Sequence, residues 1–158
     1  MCKKLTDLFL QVIIIFVSII SFIGCSSEDN SVDPPATGEV LLAEVSGDSV
    51  GVSSGSSSMS QSITGSTLNF SDRDSVRLTF YYSGENNFDP APLKIFYNQG
   101  PAEINIFNFS SANITPTEKY IDTTIASPKV NDFFIYRITA SSPTFSFFKF
   151  RDLKIYKK

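Results

Sequence analysis

From residue 39 onward, apolar and polar residues alternate with the period of two expected of strands that bury one face. The stretch 75–82 shows it best: Val76, Leu78, Phe80 and Tyr82 fall on one side, Arg77, Thr79 and Tyr81 on the other. The same alternation predicts strands at 39–45, 93–97, 103–109, 120–126, 133–140, 144–150 and 153–156. Residues 53–66 are rich in serine and glycine, and read either as a long loop or as a polar edge strand. Turn clusters separate these runs, among them Gly84-Glu85-Asn86-Asn87, Asn98-Gln99-Gly100-Pro101 and Ser141-Ser142-Pro143. No helical stripe of useful length and no internal repeat is visible. Short strands roughly ten residues apart predict an all-β fold, a single antiparallel β-sandwich. The apolar parity switches between Phe148/Phe150 and Leu153/Ile155. One regular strand cannot bury both pairs, so a β-bulge or corner is expected near Arg151.

The N-terminus has a different pattern. After Lys3 and Lys4, residues 8–24 are nearly all apolar, and Cys25-Ser26-Ser27-Glu28-Asp29 follows directly. The run is shorter than the ~20 residues a membrane-spanning helix needs, which favours a removable leader. Phe22-Ile23-Gly24-Cys25 resembles the lipobox of bacterial lipoproteins, where a small residue precedes an acylated cysteine. That resemblance implies a signal peptide over 1–24, lipid on Cys25, and a cell-envelope location at the outer membrane or cell surface. Glu28-Asp29 resembles the surface-export signal of some Gram-negative lipoproteins. Residues 25–38, with Pro34-Pro35 and no apolar period, read as the lipidated cysteine and a flexible linker, leaving 39–158 as the sandwich domain.

Composition narrows the function classes. A formal net charge of −3 argues against nucleic acid as a partner. Cys2 and Cys25 are the only cysteines, so the β domain has no internal disulfide and must rely on a core, for which 15 Phe and 6 Tyr supply the material. The chain has no histidine. Gly47-Asp48-Ser49-Val50-Gly51 matches G-x-S-x-G but lacks the base that a serine nucleophile needs, so it reads as a turn between strands. Ser146-Phe147-Phe148-Lys149 matches S-x-x-K, yet in a strand positions i and i+3 point to opposite faces. Without histidine or a spare cysteine, zinc and redox-metal sites are not expected. A structural calcium, which needs only oxygen, is the one metal open to the chain, with Asp72, Asp74 and Asp152 as its candidates; no other cofactor is expected. Lys149, Arg151, Lys154, Lys157 and Lys158 make the C-terminus basic, as expected of a charged edge strand. The sequons at Asn69, Asn108 and Asn113 are uninformative behind a bacterial leader.

Binding is better supported than catalysis. Tyr81 and Phe96 lie opposite the core stripes of their strands, near Asn86, Asn87 and Asp89. Flat rings beside amides and acids are what a sugar-binding face uses, and Tyr136 is the third candidate ring. The aromatic strand 132–140 and the closing run 148–156 resemble the jelly-roll sandwiches of carbohydrate-binding modules and galactose-binding-like domains. The resemblance implies a non-catalytic domain that binds an extracellular glycan or another ligand. The alternative is a structural or assembly subunit docked on an envelope protein through an edge strand. A third reading, a small glycoside hydrolase, would need two carboxylates facing each other across a cleft.

Overall fold

A computed structural model of the chain describes residues 38–158; the leader, Cys25 and nearly all of the linker lie outside them. Ten strands form: β1 (Val40–Val52), β2 (Gly55–Ser62), β3 (Leu68–Asn69), β4 (Ser75–Glu85), β5 (Leu93–Gln99), β6 (Ala102–Phe109), β7 (Lys119–Ala126), β8 (Asn131–Asp132), β9 (Phe134–Ser142) and β10 (Ser146–Lys157). One four-stranded sheet has the order β1-β10-β4-β7, the other β2-β9-β5-β6, and β3-β8 is a small ribbon. All pairings are antiparallel. The fold is therefore a jelly-roll-like β-sandwich. Of the links between strands of the two large sheets, β5–β6 alone stays within one sheet; each other link crosses to the opposite sheet.

The alternation explains the layers. Val76, Leu78, Phe80 and Tyr82 of β4 are all buried, as are Leu93 and Ile95 of β5 and Phe134, Tyr136 and Ile138 of β9. Rings interlock across the two sheets: Phe109 lies 4.5 Å from Tyr82 and 5.8 Å from Phe148, and Tyr136 meets Phe150 edge-on at 5.2 Å. Each such ring contributes about 1.5–3 kcal/mol by leaving water, which replaces what disulfides supply elsewhere.

The parity switch near Arg151 has its structural cause. Runs 144–150 and 153–156 belong to one strand, β10, whose register against β4 shifts between Arg151 and Lys154. Asp152 sits there at φ 53, so the chain buries Phe148 and Phe150 before the bulge and Leu153 and Ile155 after it. The run 53–66 contributes the polar edge strand β2, paired only with β9.

Two expectations need correction. Gly47-Asp48 is not a turn, because β1 continues through it to Val52, pairing Gly47 with Arg151 and Asp48 with Phe150. Gly47, at φ +131, accommodates the facing bulge. The basic C-terminus is not an edge either, since β10 lies between β1 and β4. Four of its five cations are paired instead, Lys157 with Asp72, Arg151 with Glu118, Lys154 with Glu44 and Lys158 with Glu39.

Candidate functional site

The residues singled out by the sequence do not form one face. Tyr81 is half-buried on the outer side of the first sheet, with the Arg151 guanidinium carbon 3.9 Å from its ring centroid and the Tyr120 ring at 5.0 Å. Arg151 is held there by Glu118 and Asp152, and its hydrogen bond keeps the Glu118 carboxyl below the usual range. Phe96 is on the outer side of the second sheet, but it is 2% exposed and lies under Arg137, 4.9 Å from the ring. Arg137 is fixed by two bonds to Glu103 and one to Ser60. Phe96 is therefore a covered ring and offers no stacking surface.

Tyr136, also 2% exposed, is a core residue. Its hydroxyl donates to Asp48, tying β9 of one sheet to β1 of the other. Burial, and then this contact, push its ionisation up. Asn87 is buried and engaged by backbone: Nδ2 donates to the Thr139 carbonyl at 2.6 Å, and Oδ1 accepts from the amides of Asp89 and Ser141, each at 3.1 Å. Asp89 accepts from the Ala91 amide at 2.8 Å. These two side chains hold the β4–β5 connection in shape, and only Asn86 of the trio is exposed, at φ 50. Sequence cannot separate an amide that binds ligand from one that binds backbone.

The calcium candidates are likewise dispersed, each against its own cation. Asp72 accepts from the Lys157 ammonium at 2.9 Å and Asp74 from that of Lys129 at 2.6 Å, and these hydrogen bonds lower both carboxyl pKa values. Asp152 pairs with Arg151. Among the described residues no group of three or more His, Cys, Asp or Glu side chains is placed to hold a metal. The S-x-x-K pair is split as strand geometry requires, Ser146 buried and Lys149 exposed.

A concavity does exist, in a place the sequence did not advertise. It lies between the edge strands β6 and β7 of the two sheets, and Phe107, Asn108, Phe109, Ser110, Asn113, Ile121 and Thr123 line it around a volume of about 220 Å³. A second bulge aims β6 at it. Opposite β5 the register slips between Ile95 and Phe96, so that Ile95 faces Phe107 while Phe96 faces Asn105. Phe107 and Phe109 thereby share the inward side and meet the buried Phe80 edge-on at 6.0 and 5.9 Å. Ile121, directly opposite Phe80 on β7, completes the apolar floor. The turn after β6 is set by Ser110, whose hydroxyl caps the Ala112 amide at 3.3 Å. Tyr82 pins the same turn by donating to the Asn113 carbonyl at 2.9 Å. The lining contains no charged side chain. Such a surface can hold a flat apolar face and meet hydroxyls with amide, hydroxyl and main-chain groups, and it has no acid or base for proton transfer.

The sequence matches no described protein family and no curated protein. Solved structures of similar shape include a carbohydrate-binding module of lichenase 5A from Cellvibrio mixtus, in complex with cellotriose. It is 11% identical, with a TM-score of 0.45 over 75% of this chain and 99% of that one. A Family 16 carbohydrate-binding module is 10% identical, with a TM-score of 0.42 over 66% and 73% of the two chains. The Gx strain of infectious bursal disease virus supplies a third, at 10% identity and a TM-score of 0.30 over 75% of this chain and 35% of that one. At such identity and overlap these likenesses carry no ligand over to this chain.

Proposed function

We propose that this chain is a lipid-anchored lipoprotein of the cell envelope, at the outer membrane or cell surface, whose sandwich binds glycan without acting on it. The observation that carries the binding reading is the β6–β7 groove: an aromatic and aliphatic floor at Phe107, Phe109 and Ile121, edged by Asn108, Ser110, Asn113 and Thr123. The absence of any carboxylate from that lining speaks against the hydrolase reading, which needs two of them across a bound sugar. The anchor rests on Gly24-Cys25 at the end of the apolar leader.

Titration of the protein against a glycan panel tests the first part. Binding is expected to weaken about tenfold, ~1.4 kcal/mol, in Phe107→Ala and in Asn113→Ala, with the near-ultraviolet signal of the core retained. A panel without a binder, together with co-purification of an envelope protein through β7, would favour the assembly reading instead. For the anchor, intact mass of the membrane-extracted protein should show residues 1–24 gone and acyl chains on Cys25. An uncleaved, unmodified chain rules the anchor out.

A further inference from the structure

The connection between β6 and β7 forms one end of the groove. Strand β6 belongs to one sheet and β7 to the other, so the 110–118 connection between them must cross from sheet to sheet. It does so beside the groove, where Ser110 and Asn113 form part of the lining. The Ser111–Asn113 turn is held in that position from below by Tyr82 and from within by its Ser110 cap. The main-chain amide of Gly84 fastens the same connection to β4 by donating to the Thr115 carbonyl at 2.9 Å. At its far end β6 instead turns back into its own sheet through the Gly100 hairpin, and no residue from the start of β6 or the end of β7 reaches the groove.

The size and charge of the groove bear on the same question. At about 220 Å³ it is smaller than the roughly 300–1,000 Å³ of pockets that enclose drug-sized ligands, which leaves room for one sugar ring and part of a second. Its lining is neutral throughout, and the nearest charge along β7, Asp122, is engaged by Arg77 through two bonds of 2.7 and 2.8 Å. An anionic sugar would lose water there without gaining a cation from the lining; Lys94 of β5, opposite Asn108, lies on the outer side of the sheet with Phe96. An extended chain lying across the site would meet the 110–118 crossing.

We infer that the groove takes the terminal residue of a neutral glycan, rather than an internal stretch of a chain or an acidic polysaccharide. This rests on the glycan-binding reading above and narrows it.

The test is calorimetric titration of the full-length protein, kept in a detergent without a sugar headgroup. Neutral oligosaccharides of one to six residues, in several ring configurations, are compared with uronic-acid and sulfated series of the same lengths. For the neutral series, affinity should rise from one residue to two and then change less than about twofold up to six. It should also be insensitive to salt between about 50 and 500 mM, because no ion pair forms. Capping the chain at the end that binds should abolish it. Affinity that keeps climbing with length, or a preference for the acidic series that falls with salt, overturns terminal neutral recognition and leaves glycan binding standing. No heat with any sugar, while unfolding remains cooperative, removes both.

Discussion

Gly47→Ala is expected to destabilise the domain by about 3 kcal/mol or more, a drop in thermal midpoint on the order of 10 °C, read by circular dichroism. Two independent penalties combine at this position. The φ of +131 is one that side chains rarely adopt, and a Cβ built there would lie 2.6 Å from the Cα of Arg151 and closer still to the Phe150 carbonyl. Neither neighbour can retreat cheaply, because both belong to the backbone of the central strand β10 at the point where it bulges. Gly65, which has open space around the same hypothetical atom and no positive φ, serves as the control, and Gly65→Ala should change stability by less than about 0.5 kcal/mol. A loss at Gly47 below about 1 kcal/mol would mean that the bulge slides along the strand, and that Gly47 does not determine its place.

Phe80→Ala should cost about 3–5 kcal/mol in urea unfolding, the range for emptying a fully buried aromatic site. Phe80 is 0% exposed, and it supports Phe107 and Phe109 from beneath. The loss should therefore appear twice, once in stability and once in the groove, whose floor would sink toward the cavity. Phe80→Leu keeps most of the volume and should lose roughly 1–1.5 kcal/mol. If the alanine variant is destabilised by less than about 1.5 kcal/mol, Phe80 does not carry the packing between β4 and β6 that its contacts indicate.

How much of this was legible beforehand depended on whether the signal was local. The parity of β4 and the bulge in β10 follow from residues adjacent in sequence, and both are present where the alternation puts them. The same kind of switch, from Ile104 to Phe107 and Phe109, also marks the bulge of β6, and could have flagged Phe107. The groove itself was out of reach, because it exists only once β6 and β7 are known to be edges of different sheets. Phe96 illustrates the other limit. Alternation states which side of a strand a ring occupies, but the cover over that ring comes from Arg137, 41 positions away on the neighbouring strand. Gly47-Asp48 misleads for a related reason: the residue pair common in turns is used here to make room for a distortion in the strand alongside.

An interior strand of the first sheet, β10, pairs with the strand farthest from it in sequence, β1. It joins β1 to β4 and buries Phe148, Phe150, Leu153 and Ile155. Until the twelve residues of β10 are in place, β1 has no neighbour in its sheet. Such long-range closure is slow, since the entropy of ordering the whole chain is spent before the decisive contacts form. A chain of this design keeps β1 and the facing edge of β4 unpaired until β10 is seated between them, and unpaired edges are what other chains can join.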